Sequence, residues 1–214
     1  QMTFLNVTQN INLITLDCYN NRLTDLDVSQ NTKLTSINCR YNLLTSLNLS
    51  QNSNLLGLNC SDNLITNLDL RQNTKMTSLY CDNNKLVQLK TFGAEALNTF
   101  SCNNNQIVYL DLRYNIGLYQ ILCSNNKLLG LNVHNGHNEL LSLYNSFDAT
   151  NNPDLTCIEV DNALKANNGE APYTLWKKPP GAIYSENCII QTTNVPDVNF
   201  ELALQELGYD AGEP

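Results

Sequence analysis

A β-rich solenoid wound in 21-residue coils, with short parallel strands on a concave face and little helix, is the fold class the sequence predicts. Three observations predict it. Cys18, Cys39, Cys60, Cys81, Cys102 and Cys123 stand 21 residues apart, and Asn21, Asn42, Asn63, Asn84, Asn105 and Asn126 keep the same step. Apolar residues precede each cysteine by two (Leu16, Ile37, Leu58, Leu79, Phe100, Ile121) and by five (Leu13, Leu34, Leu55, Met76, Leu97, Leu118), and follow each asparagine by two (Leu23, Leu44, Ile65, Leu86, Ile107, Leu128). A second alternation fills the rest of the unit, as in "LTDLDVSQN", "LTSLNLSQN" and "ITNLDLRQN". Alternation with period two marks half-buried strands, and its return at a fixed interval marks one structural unit repeated.

A single coil cannot bury its own inward row, so stacking supplies both the burial and the strand partners. Twenty-one residues leave little room for a helix, so extended or turn structure is expected on the outer side. At a strand spacing of about 4.8 Å, six to seven coils make a curved rod roughly 30 Å long. The six repeated cysteines fit inward slots that ask for a small apolar group, a role buried free thiols fill. Thiols stacked in parallel do not form the tetrahedron a metal needs, and they run alongside rather than toward one another, against rung-to-rung disulfides. The asparagines, able to donate and accept, suit a ladder that satisfies backbone groups where the chain leaves each strand.

Written out, the unit L-x-x-L-x-C-x-x-N-x-L resembles the leucine-rich repeat. Around Leu155 the pattern stops, and a segment opening with "CIEVD" and closing with "YSENC" resembles the C-terminal cap of secreted leucine-rich repeat proteins of the Bacteroidota type. The resemblance implies a disulfide between Cys157 and Cys188, and with it a secreted or cell-surface location, since such a bridge needs an oxidising compartment. Trp176, Tyr173, Leu164 and Ile183 are expected to cover the last coil. The division expected is a solenoid over 1–156, a cap over 157–190 and a linker with a short helix over 191–214. That helix, "VPDVNFELALQELGYD", is capped by Asp197 or Asn199, shows Phe200, Leu204 and Leu207 on one face and ends at Gly208. It resembles a segment that precedes a fresh array, so a following module is expected. End-to-end self-association would place this helix on the first coil of a neighbour, around Phe4 to Val7.

The repeat departs from itself twice. After Asn84 the usual turn is replaced by "FGAEAL", read as a bulkier edge or a single helical turn. "NVHNGHNELLSLYNSFDATNN" carries five extra residues before Phe147, Ala149 and Asn152 resume the pattern. This insertion holds both histidines, His134 and His137, but no third ligand at a recognised spacing, so a solvated loop is expected rather than a metal site.

Composition narrows the function. The chain has 36 asparagines, 15% charged residues and a net charge of −8. Residues 1–156 hold 11 acids and 9 bases, the remainder 9 acids and 3 bases. Without a basic stripe, nucleic acid is excluded as a main partner. No apolar run reaches the roughly 18 residues needed to span a bilayer, and "QMTFLNVTQN" lacks the pattern of a signal peptide, so any leader is expected to have been removed. Neither histidine shares a rung with a ladder cysteine and no carboxylate pair stands out, so neither catalysis nor a cofactor is expected.

The positions expected to face solvent form a small-polar field: Thr15, Asp17 and Tyr19; Ser36, Asn38 and Arg40; Gly57, Asn59 and Ser61; Ser78, Tyr80 and Asp82; Thr99, Ser101 and Asn103; Gln120, Leu122 and Ser124. Within it Tyr19, Asn38, Arg40, Asn59, Tyr80, Asp82 and Asn103 are the candidate contacts. Tyr19, Arg40 and Tyr80 lead, because tyrosine and arginine dominate interface energetics. The family resemblance implies protein–protein interaction or adhesion. The expected function is a non-catalytic recognition module of a secreted or surface-attached bacterial protein, binding a protein partner through its curved face. A glycan-binding module is the alternative, since amides, hydroxyls and tyrosines also suit sugars.

Overall fold

Because each coil is only 21 residues long and must turn repeatedly, its strands are three residues or fewer. The structure is a computed structural model that describes residues 1–188, so the helix expected over 197–208 lies outside the described residues. One strand per coil builds the main sheet: β1 (Thr15–Asp17), β2 (Ser36–Asn38), β3 (Gly57–Asn59), β5 (Ser78–Tyr80), β7 (Thr99–Ser101), β9 (Gln120–Leu122) and β11 (Phe147–Asp148), adjacent in that order. All pairings are parallel. Leu16 aligns with Ile37, Leu58 with Leu79 and Phe100 with Ile121, which in turn aligns with Phe147 across the insertion. The pleat sends these residues inward to a core of leucine, isoleucine and the six ladder cysteines, all buried.

Two residues after each cysteine the chain enters the left-handed region, at Asn20, Tyr41, Asp62, Asn83, Asn104 and Asn125, with φ between 54° and 57°. Asparagine and aspartate tolerate this conformation better than other L-residues. The next residue is the ladder asparagine, which ties neighbouring coils together. Asn63 Nδ2 donates to the carbonyls of Cys60 (3.1 Å) and of Cys39 one coil earlier (3.0 Å), while its Oδ1 accepts from the Leu44 amide at 2.9 Å. Asn42, Asn84, Asn105 and Asn126 repeat the arrangement, and Asn152 resumes it beyond the insertion.

A second amide ladder occupies the opposite turn. Asn31, Asn52, Asn73 and Asn115 are buried and donate to carbonyls of the preceding coil, as Asn52 does to Val28 and Asn31. Their Oδ1 atoms have no hydrogen-bond partner among the described residues. This ladder therefore makes fewer bonds per rung, and Ala94 takes its place in one coil. The "FGAEAL" segment forms no helical turn but a turn at the usual place whose backbone differs at Gly93, which takes φ 95° where Gln30, Gln51, Gln72 and Tyr114 of the other coils do not, and where a Cβ would lie 2.6 Å from the Arg71 carbonyl oxygen. On this side β4 (Asn67–Asp69) pairs β6 (Gln88–Lys90), while β8 (Tyr109–Asp111), β10 (Gly130–Asn132), β12 (Cys157–Glu159) and β13 (Ile183–Ser185) form a separate parallel sheet.

The end of the solenoid is closed by aromatic packing. Trp176 stacks on Phe147 with ring centroids 4.1 Å apart, Tyr173 meets it edge-on at 4.7 Å, and Tyr184 is buried beside them. Leu164 and Ile183, expected in this layer, are instead 73% and 59% exposed. In β13 the alternation turns Tyr184 inward and Ile183 outward, and the helix α1 (Ala163–Asn167) buries only Ala166. The insertion is no free loop: Asn138 and Leu141 are buried, the Tyr173 hydroxyl donates to Asn138 Oδ1 at 3.2 Å, and Trp176 Nε1 donates to the Leu141 carbonyl at 2.9 Å. It is the seat on which the cap rests.

Cys157 and Cys188 are joined by a disulfide across 31 residues, and the six ladder cysteines are free and buried. Closing a loop of this size restricts the unfolded chain, so reducing the bridge is expected to cost about 3–4 kcal/mol. A drop in melting temperature of roughly 10 °C in calorimetry with reductant checks this. An unchanged transition would mean that the aromatic layer alone holds the cap.

Candidate functional site

Besides the row that starts at Thr15, the main sheet presents two outward rows, one residue before and one residue after each cysteine. The first begins Asp17, Asn38, Asn59 and Tyr80, which are direct neighbours in register. The second runs Tyr19, Arg40, Ser61, Asp82, Asn103 and Ser124.

These rows differ along the rod in how far their polar groups are already engaged. Over the middle coils Asp82 Oδ1 accepts from the Ser101 hydroxyl (2.6 Å) and the Asn103 amide (2.7 Å). Asn103 Oδ1 accepts from the Ser124 hydroxyl and backbone, both at 2.8 Å, and its Nδ2 donates to the Ser101 hydroxyl at 3.0 Å. Ser61, Thr99 and Ser101, expected to face solvent, are buried, because longer neighbours on adjacent rungs overlie them. The Tyr119 hydroxyl, for example, receives the Thr99 hydrogen bond at 2.8 Å.

The first coils are more open. Tyr19 and Tyr80 are exposed, and the half-buried Asn38 and Asn59 use Oδ1 to accept from the backbone amides of Arg40 (3.4 Å) and Ser61 (3.1 Å), which leaves their NH2 groups without an acceptor among the described residues. Arg40 Nε donates to Asp62 Oδ2 at 2.8 Å, its Nη2 donates to the Tyr41 hydroxyl at 2.8 Å, and its guanidinium lies 4.3 Å from the Tyr41 ring centroid. Tyr41 belongs with the candidates and was missed in the sequence, although a signal was there: every other ladder asparagine follows an Asn or Asp, and only Asn42 follows a tyrosine. A hollow of about 460 Å³ is lined by Tyr19, Asn20, Asn38, Arg40, Tyr41 and Asn59. A second, of about 260 Å³, reaches from Arg40 to Tyr80, Asp82 and Asn103. A larger hollow of about 530 Å³ on the opposite side has no aromatic lining, and its Asp69 and Arg71 are paired at 2.8 Å.

The ladder thiols offer no nucleophile. Burial pushes all six above their ordinary value of 9.0, Cys18 to about 11 with the Asp17 charge adding to it, so they stay protonated. His137 Nδ1 lies 3.2 Å from Glu139 and His134 Nδ1 3.3 Å from the Glu186 carbonyl. Among the described residues no three His, Cys, Asp or Glu side chains converge as a metal site, and no helix is long and apolar enough to cross a membrane.

Coils, ladders and cap together define a leucine-rich-repeat type of parallel β-solenoid closed by a disulfide near its C-terminus. Among solved structures the chain is similar to the functional domain of InlJ from Listeria monocytogenes, which includes a cysteine ladder: identity is 32%, coverage 84% of this chain and 46% of that one, and the TM-score 0.54. It shares its fold with an internalin, inlF, also from Listeria monocytogenes, at 19% identity, 83% and 51% coverage and a TM-score of 0.58. The chain thus spans about half the length of these two structures. No family model and no curated protein matches the sequence.

Proposed function

We propose that this chain is a non-catalytic recognition module of a secreted or surface-attached bacterial protein, and that it binds a protein partner through the main sheet face. The observation that carries the reading is the grouping of Tyr19, Arg40, Tyr41 and Tyr80, exposed or half-exposed, around two adjoining hollows on a face otherwise made of short polar side chains. Tyrosine and arginine at the centre of a patch supply most binding energy in protein interfaces. The disulfide supports an oxidising, extracellular setting. Similarity to internalin-type solenoids supports macromolecular recognition over catalysis, as does the protonated state of the buried thiols.

The immobilised chain should be screened against purified extracellular proteins and, in parallel, against a glycan array. A protein hit is expected to weaken by about 30-fold or more when Tyr19, Arg40 and Tyr80 are together changed to alanine, as for loss of a hot spot of about 2 kcal/mol. Recognition confined to the glycan array would select the alternative reading. A protein hit untouched by the triple change would move the interface off this face.

A further inference from the structure

We infer that the hollow between Tyr19 and Tyr41 is the docking point on this face, and that it takes a basic protein segment, with a lysine or arginine side chain against the tyrosines and backbone carbonyls on the amides of Asn38 and Asn59. The inference rests on the recognition reading above and deepens it.

Its starting point is a residue that the fold does not ask for. At φ 54° Tyr41 is a bulky side chain in the left-handed region, where the equivalent position of every other coil holds asparagine or aspartate. Its backbone bonds, to Ser61 and from Asn21, match those its counterparts make, so asparagine would keep them all. The residue is 48% exposed, so burial does not explain it either. Strain kept at a position where asparagine would serve the backbone equally well points to a functional site. The ring and hydroxyl of Tyr41 hold Arg40, whose charge Asp62 already neutralises, and together they form one wall of the hollow.

The groups left over state what fits. The Asn38 and Asn59 NH2 groups have no acceptor among the described residues, whereas Asn103 donates to Ser101; unpaired donors lining the hollow on adjacent rungs suit carbonyl oxygens. Asp17 is the register neighbour of Asn38, and Asp62 and Asp82 line the adjoining hollow, so three carboxylates stand about the single guanidinium of Arg40 and the local field repels acidic ligands and draws basic ones. The Tyr19 ring, exposed across the hollow, adds a face for a cation.

The test titrates the whole chain with the blocked peptide acetyl-Gly-Arg-Gly-Arg-Gly-amide, its glutamate counterpart and cellobiose, following side-chain amide signals by NMR. The arginine peptide is expected to move the Asn38 and Asn59 NH2 signals and not that of Asn103, and to do so less as salt shortens the screening length from about 10 Å at 0.1 M to about 3 Å at 1 M. Tyr41→Asn is expected to weaken the response about tenfold. The same variant should raise the melting temperature by about 2–4 °C, because strain is relieved. Equal shifts from the glutamate peptide or cellobiose, no shift from the arginine peptide, or a Tyr41→Asn variant that melts lower would each overturn the inference. If a partner from the protein screen binds Tyr41→Asn as well as wild type, the docking point is wrong while the module reading stands. If no protein binds wild type, that reading fails independently of the peptide result.

Discussion

Raising the pH from 7 to 10 is expected to remove on the order of 8 kcal/mol of stability from the solenoid, enough to unfold it. The five inner ladder thiols, Cys39, Cys60, Cys81, Cys102 and Cys123, are buried among apolar side chains, and that desolvation raises each above the ordinary value of 9.0. In the unfolded chain they ionise once the pH passes 9.0, whereas the folded chain keeps their protons. Above that point the unfolded state binds fewer protons, so stability falls as pH rises. The contribution is fully present below 9.0 and drains away above it, by a little over ~1 kcal/mol per thiol at one unit beyond. Cys18, at the open end, stops adding to the loss once the pH passes about 11. Urea midpoints measured from pH 7 to 10 check the slope. Replacing Cys60, Cys81 and Cys102 by alanine lowers stability at pH 7 through the cavities left, yet should remove about half of the thiol-linked slope, since Cys18 still contributes at pH 10. A slope unchanged by the triple replacement would assign the alkaline loss to other groups, such as the tyrosines.

Asn63→Ala is expected to destabilise the chain by about 3 kcal/mol, and Asn52→Ala by only about 1 kcal/mol, although both are buried amides in repeated ladders. Asn63 makes four bonds: Nδ2 donates to Cys39, Cys60 and Ser61, and Oδ1 accepts from Leu44. Cutting it away leaves the Leu44 N–H buried without a partner, the costly half of a broken hydrogen bond. Asn52 donates to Val28 and Asn31 but accepts nothing, so no buried N–H is stranded by its loss. Ala94 already occupies the equivalent slot and stays fully buried. Equal losses for the two substitutions in urea denaturation would contradict the bond-by-bond difference between the ladders.

Much of the fold was legible because its period is written into the chain. A fixed 21-residue step can be satisfied only by stacking, and the burial of the ladder cysteines and asparagines follows from that alone. Even the resumption at Phe147 and Asn152 after five extra residues could be read from the pattern. What escaped depends on contacts between rungs or on backbone dihedrals. The phase of the alternation in β13 is set by its pairing with β12, so Ile183 was placed inward where Tyr184 lies. Ser61 and Ser101 are covered by neighbours that are near only after stacking. Gly93 lets "FGAEAL" turn without a helix through a positive φ that the equivalent residues of other coils do not adopt. Of the candidate site, Tyr19, Arg40 and Tyr80 stood out by residue type. Tyr41 did not, since its position is unusual for its backbone conformation, a property hydropathy does not encode. The "QN" of the outer turns was in view, yet its ladder emerges only when the turns are stacked.

The aromatic layer at the end of the rod has an optical consequence. Trp176 is the only tryptophan in the chain, and it sits against Phe147 with its indole N–H on the Leu141 carbonyl. Its emission therefore reports the closure of one end, while far-ultraviolet circular dichroism reports the whole stack of coils. Superimposed curves from the two signals on heating would show the rod and its lid melting as one body, and an earlier red shift in emission would show the lid lifting first.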